Sequence, residues 1–317
     1  MTNREKFIKA LKREPLIGLV PHFELVFYLT MEAFHKVHPL HRNFEQWNQM
    51  SREEKEMQLY DIAWVYVETA KRYEHSAILV HSDMSNYEFT APLLQKIRDI
   101  SNDEFFIIMH GDPTYSIPDG KSMMEFTVQL YEEQHILHDR AKRQTENFIK
   151  WAERFKEACL IDGFALCSDY CFNTNPFFSI DLFDEYIAPY LSWIIREYRG
   201  MGYYTIKHTD GNIMPILSRL VDCKPDALHS LDPQGGVSLE EVKRLYGDKV
   251  CLIGNVNCAL LQTGTDEDCI EDVKRSLSQG MKNYGYIFST SNCIYTGMSL
   301  KRYELMLDIW HKYGVYI

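Results

Sequence analysis

The sequence shows no apolar signal core behind its first residues, which read MTNREKFIKALKRE. No run approaches the roughly 18 consecutive apolar residues of a membrane-spanning helix. Secretion and membrane insertion are therefore disfavoured, and the chain reads as cytoplasmic with no membrane partner. A nucleotide site has no support, because neither Gly-X-Gly-X-X-Gly nor a P-loop is present. Gly-X-Ser-X-Gly and His-Glu-X-X-His are missing too, which weakens serine-hydrolase and zinc-protease readings. Basic residues are in deficit: 34 Lys+Arg against 45 Asp+Glu leave a formal charge of −11. Nucleic-acid binding needs a basic stripe and is disfavoured, as is a polyanionic small molecule. Apolar residues are plentiful, at 45% of the 317 positions, enough for a large core. In a cytoplasmic chain the eight cysteines read as reduced thiols, mostly small core residues.

Short apolar runs alternate with longer amphipathic stretches. The predicted strands are Leu19–Phe23, Ala77–Ser82, Phe105–His110, Leu160–Cys167, Tyr203–His208, Ala227–Leu231, Val250–Val256 and Tyr284–Ser289. Near-continuous apolar runs suit strands buried on both faces of a parallel sheet. Helices are predicted over Ser51–Tyr73, Ser238–Tyr246, Thr265–Tyr284 and Ser299–Tyr313, three of them opening on Ser and one on Thr, residues that cap helix starts. Eight strands with helices between most of them give an α/β chain with the arithmetic of a (β/α)8 TIM barrel, one domain over residues 1–317. Long loops follow strands 1 and 3, at Leu25–Met50 and Gly111–Ala158, and such insertions usually carry lids or partner contacts.

The strand ends carry the chemistry. They read His22-Phe23-Glu24, His81-Ser82-Asp83, His110-Gly111-Asp112, Asp169-Tyr170, His208-Thr209-Asp210, His229-Ser230-Leu231-Asp232, Asn255-Val256-Asn257-Cys258 and Asn292-Cys293. In a parallel barrel these ends meet at one mouth. Loops are polar in any case, but that alone predicts Ser, Asn and Gly rather than repeated His and acid. His110, Asp169, His208 and Asp210 are the expected catalytic groups. His22, Glu24, His81, Asp83, Tyr170, His229 and Asn255 are the expected substrate contacts. An imidazole whose second nitrogen meets a carboxylate is a tuned acid–base group.

The same residues could bind metal. His208 and Asp210, joined by Cys293, offer an N/O/S set with an open fourth position, as catalytic zinc prefers; Cys258 is the alternative ligand. In the competing reading Asp210 bonds the backbone of its own turn and Cys293 is a buried thiol. Cys167 and Cys171 lack a second cysteine pair for a structural zinc site. His35, His38 and His41 fit an exposed lid better than a metal tract, since Pro39 interrupts any helical face. Glu132-X-X-His135 has no matching second half.

Arg4-Glu-Lys-Phe-Ile-Lys-Ala-Leu, Val20-Pro21, Asp162-Gly163, Asp169, Pro176-Phe-Phe-Ser-Ile-Asp-Leu-Phe, Pro189, His208-Thr-Asp-Gly-Asn212, Gly254-Asn-Val-Asn-Cys258, Gly264-Thr265 and Tyr286-Ile-Phe-Ser-Thr-Ser-Asn292 together resemble the uroporphyrinogen decarboxylase superfamily. The resemblance spans nearly the whole chain and implies a (β/α)8 barrel with its site at the strand C-terminal mouth. True decarboxylases clamp a porphyrinogen with an Arg-rich N-terminal segment. Here Pro21-His-Phe-Glu-Leu-Val-Phe-Tyr28 has no Arg and carries Glu24, a poor match for many carboxylates. The other branch, the corrinoid-dependent methyltransferases, has a zinc site similar to His-X-Cys with a distant Cys. His208 and Cys293 match it, while Asp210 stands where the first Cys would be. A harder His/Asp/Cys set favours an oxygen ligand over a thiolate. The resemblance implies demethylation of a small methylated compound, O-methyl foremost, with the methyl group passing to a cob(I)alamin carrier. No Asp-X-His-X-X-Gly corrinoid motif occurs, so the corrinoid-binding protein would act in trans. A decarboxylase of a small carboxylate or porphyrinogen-like substrate and a catalytically inactive barrel that binds a small ligand are the alternatives. A homodimer is compatible with the sequence.

Overall fold

β1 (Gly18–Leu19) follows the helix Asn3–Leu11. The next seven strands are β2 (Ala77–Val80), β3 (Phe106–His110), β4 (Gly163–Leu166), β5 (Tyr204–Thr209), β6 (Ala227–Ser230), β7 (Cys251–Ile253) and β8 (Tyr286–Ile287). They form one parallel sheet in sequence order, and β9 (Val315–Tyr316) returns to pair antiparallel with β1. This computed structural model describes residues 1–42 and 44–317. Residues of β2, β4, β6 and β7 are buried throughout, which is why β2, β4 and β7 read as unbroken apolar runs rather than alternating ones; β6 adds the buried polar pair His229 and Ser230.

Helices separate the strands and their starts follow the sequence closely. Ser51 caps Arg52–Arg72, Ser238 caps Leu239–Tyr246 and Ser299 caps Leu300–Tyr313, each accepting a backbone N–H three residues on. Thr265 and Asp268 close a reciprocal capping box at the start of Asp266–Gly280. The long connection after β3 is helical over Met123–Tyr131 and Gln134–Glu157. The connection over residues 25–50 holds the short helix Thr30–Phe34 and two single 3₁₀ turns; position 43 lies outside the described residues.

Regular pairing at the expected first strand is nearly absent. The structure is an α/β fold with a curled, parallel, seven-stranded sheet, and both edges of that sheet reach His22. His22 makes parallel bridges to His75 beside β2 and to Phe288 beside β8. Its carbonyl accepts the Ser76 amide at 2.6 Å, and Phe23 N donates to Phe288 O at 3.0 Å. Pro21 has no N–H to contribute, which shortens the ladder. The Glu24 carboxylate takes over part of it, accepting Thr290 Oγ1 at 2.5 Å and Thr290 N at 3.3 Å. Below the sheet, Asp162 receives Arg4, Arg98 and the Ile107 amide, pinning the first helix to the start of β4.

Candidate active site

β5 and its turn build the centre. His208 is the penultimate residue of the strand, in register with His229 of β6. Gly211 follows Asp210 with φ +79°, and a Cβ there would lie 2.6 Å from the carbonyl oxygens of Cys171 and Phe172. Only glycine fits that close approach. The Asp210 amide donates to Asp169 Oδ1 at 3.0 Å, which draws the two acids together. Among the described residues, Asp169, His208 and Asp210 offer one ligand atom each within 4.8 Å of one another.

Two imidazole chains lead away from this cluster. His208 Nδ1 lies 2.7 Å from His229 Nδ1. His229 also bonds the Thr290 backbone, a contact that supports its proton. We therefore assign His208 as the donor at Nδ1, which leaves the lone pair of His208 Nε2 facing Asp210 Oδ1 at 3.7 Å. In the second chain His81 Nε2 meets the Leu25 carbonyl at 3.3 Å, and His110 Nε2 meets His81 Nδ1 at 2.8 Å. A carbonyl can only accept, so His81 donates there, His110 donates to His81, and His110 keeps its lone pair at Nδ1. Burial lowers the proton affinity of all four rings; His110 falls to about 4, with the like-charged form of His208 adding to the effect.

Asp210 moves the other way. Burial and then the neighbouring Asp169 raise its pKa to about 7, against the hydrogen bonds from Ser230 and Asn292. Its side chain is 27% exposed, yet Oδ1 is out of solvent and has no hydrogen-bond partner among the described residues. A buried carboxyl oxygen beside an imidazole lone pair calls for a proton or a cation between them.

The other expected residues divide. Asp169, His208 and Asp210 come together, His229 stands directly behind them, and His110 and His81 form a neighbouring pair. Asp83 lies at the rim, accepting Ser85 N and Oγ. His22 and Glu24 are buried at the sheet seam and bond each other at 3.1 Å, so they tie the sheet rather than face a ligand. Asn255 is buried, with Nδ2 on Leu231 O at 2.7 Å and Oδ1 on Arg275 at 3.1 Å, so both amide ends are taken. Tyr170 is buried too, its hydroxyl 2.6 Å from Thr114 Oγ1. Neither Cys293 nor Cys258 belongs to the ligand-distance group. Cys258 takes a Ser291 hydroxyl and reaches the Cys293 carbonyl, and burial raises both thiols, Cys258 to about 11. Asp210 does not bond its own turn; its carboxylate meets Asn292. His38 is buried, not part of an exposed lid, with Tyr28 stacked on His41 beside it.

Lys207 was not singled out by sequence reasoning. It is fully buried, donating to Asp112 Oδ2 at 2.8 Å and to Ser168 O at 2.9 Å, with Tyr170 beneath it. A lysine inside the apolar run Tyr204-Thr-Ile-Lys-His was the available signal. A cleft of about 530 Å³ opens beside His81, walled by Phe44, Trp47, Tyr66 and Phe89.

A curled parallel sheet with acids and imidazoles at its C-terminal strand ends defines a TIM-barrel-like α/β protein of the kind that holds active sites there. The family model described as Uroporphyrinogen decarboxylase (URO-D) matches residues 114–313, and the chain belongs to that family. Among solved structures it resembles a methyltransferase from Methanosarcina mazei, with a TM-score of 0.75 and 16% identity over 98% of this chain and 99% of that one. A GH5_18 from Bifidobacterium longum subsp. infantis gives 0.51 and 9% over 94% and 80%. At such identities the likeness is one of fold. No curated protein matches the sequence. No helix among the described residues is long and apolar enough to cross a membrane.

Proposed function

We propose that this chain is a methyltransferase that takes a methyl group from a small methylated compound, O-methyl foremost, and delivers it to a corrinoid on a separate carrier protein. Residues 1–317 act as one (β/α)8-type domain whose first strand is reduced to the His22 bridge. The observation that carries the reading is the Asp169–His208–Asp210 cluster, with an unpartnered Asp210 oxygen facing an imidazole lone pair. Breaking a methyl–oxygen bond needs the leaving oxygen to be neutralised, and this cluster is built to place positive charge at one point. The reduced corrinoid, when its carrier docks, supplies the nucleophile.

The cluster fits a divalent cation: its donors are two carboxylates and an imidazole, and one buried oxygen stands ready. Asp169, His208 and Asp210 would hold the ion, zinc in the first instance, and it would act as a Lewis acid on the substrate oxygen. In its absence the Asp210 carboxyl, its pKa raised to about 7, can hold a proton and give it to that oxygen. His229 fixes the His208 tautomer in either case. A polycarboxylate substrate fits poorly, because the buried cation Lys207 is committed to Asp112 and acids surround it.

The test is consumption of cob(I)alamin, followed by its absorbance, with methoxylated and other methylated donors. His208→Ala and Asp210→Ala are expected to slow transfer at least 100-fold, on the order of the loss of an acid–base group, with unchanged circular dichroism. Unaffected transfer in both variants, or release of CO₂ from a small carboxylate with no methyl transfer, overturns the reading. Metal analysis then distinguishes the two forms of activation: bound zinc is lost in His208→Ala and retained in Cys293→Ser.

A further inference from the structure

The cleft beside His81 has its own chemistry. Three of its side chains form an aromatic cluster: Trp47 and Phe89 have centroids 4.9 Å apart at 75°, and Phe44 and Trp47 lie 5.7 Å apart at 81°. Phe44 and Phe89 close the third side at 6.1 Å. Polar groups beside these rings are Asn48, His81, Ser82, Asn86 and two acids, Asp83 and Glu88, and no Lys or Arg lines the cleft among the described residues. The helix Tyr87–Ser101 starts here and adds a fraction of a positive charge, about half of one. Two full acids outweigh it. Trp47 already attracts one cation, with Lys55 Nζ 5.8 Å from its ring.

Rings with negative faces, two of the three pairs near-perpendicular, set beside carboxylates and with no Lys or Arg in the cleft lining among the described residues, select a bulky, weakly hydrated cation over an anion or a neutral molecule. We propose that this cleft binds a methylated ammonium head group. A compact ammonium such as Lys would keep its water; a quaternary one sheds it and packs against the three rings. Tyr66 anchors the cleft to the end of β2, its hydroxyl accepting the His81 amide at 3.1 Å. His81 in turn carries His110, so an occupant here abuts the imidazole pair at the sheet mouth. The site recognises charge and methyl surface and needs no group transfer to operate.

The proposal is tested by calorimetric titration of the full chain with choline, against 3,3-dimethylbutan-1-ol, its neutral isostere. Choline is expected to bind at least tenfold more tightly. Trp47→Leu and Phe89→Leu should each weaken choline roughly five- to thirty-fold, the range set by removing one ring face from a cation. Glu88→Gln, at an exposed position that tolerates the change, should weaken choline severalfold and leave the alcohol unaffected. Equal binding of choline and the alcohol, no choline binding at tens of millimolar, or full affinity in both Trp47→Leu and Glu88→Gln overturns it. The readout is binding, so a failure of methyl transfer leaves this inference standing, and its own failure leaves the methyl-transfer reading untouched.

Discussion

Removing the charge of Asp112 should expose how tightly the floor of the mouth depends on one ion pair. Asp112 Oδ1 accepts Thr114 N at 2.9 Å and Thr114 Oγ1 at 2.5 Å, while Oδ2 accepts Ser168 N at 2.9 Å and Lys207 Nζ at 2.8 Å. Burial alone would raise the pKa of this carboxyl, yet Lys207 and the Thr114 bonds hold it below its ordinary value. Asp112→Asn keeps the shape and leaves the ammonium buried without a counter-charge. Breaking a buried pair in this way costs about 3–5 kcal/mol. An independent ceiling agrees: stripping a proton from an ordinary lysine at pH 7 costs about 4.6 kcal/mol, from a pKa of about 10.4. At about 2.1 cal/mol/K of unfolding entropy per residue, 317 residues convert this to a Tm loss of roughly 5–8 °C. Lys207→Met alone strands the carboxylate and should cost a comparable amount. The double variant Asp112→Asn/Lys207→Met removes both charges and should fall within about 1–2 kcal/mol of wild type, the outcome expected when a paired charge gives way to apolar bulk. Urea unfolding of the four proteins closes the cycle. Additive losses in the double variant, or a loss under about 1 kcal/mol in Asp112→Asn, would refute the reasoning.

Two further predictions rest on the same geometry. His38 is buried near His41 and Arg42, and burial first, then those cations, lower its pKa from 6.5 to about 4. The unfolded chain therefore takes up this proton at higher pH than the folded one. Stability is lost as pH falls from about 6.5 to about 4, by about 3 kcal/mol at most. His38→Asn keeps an acceptor for the Leu40 amide and should lose less stability than wild type between pH 7 and pH 4.5 in urea titrations; parallel losses would sink the assignment. Gly211→Ala forces a left-handed Ala against two carbonyl oxygens and should cost at least about 2 kcal/mol, read as a fall in Tm. It should also displace Asp210, so that methyl transfer falls further than stability alone explains.

Most of the frame was legible in the sequence because burial on both faces leaves a plain signature. The runs that became β2 to β8 are mostly apolar, with polar residues gathered toward the ends of β3, β5 and β6, and the Ser and Thr caps marked four helix starts to within a residue. The first strand misled because Leu19–Phe23 has the same apolar look, while Pro21 and the side chains of His22 and Glu24 interrupt its backbone pairing. The site was legible only in part. Strand-end position brought Asp169, His208 and Asp210 to one place, since register alone sets which residues meet at the mouth. Which way each side chain turns is a tertiary matter. Asn255 and Tyr170 point into packing, and Glu24 into the seam. Phe44 and Trp47 came from a connection whose path no local pattern encodes.

The seam at His22 also bears on how the protein is made. Trp310 Nε1 donates to the Val20 carbonyl, a contact spanning 290 residues of sequence, and β1 waits for β9. A ribosome delivers β2 to β8 in order, each able to join its predecessor at once. The bridge from His22 to Phe288 and the clasp of Trp310 on Val20 can form only after Phe288 and the helix Leu300–Tyr313 have emerged. Until then the edge of the newest strand stays unpaired, and strand edges invite wrong partners. Slowing translation just before the codons for the final helix would lengthen that exposure. The interval before the helix Leu300–Tyr313 docks is thus when this sheet is most open to aggregation, and when a chaperone would have most to hold.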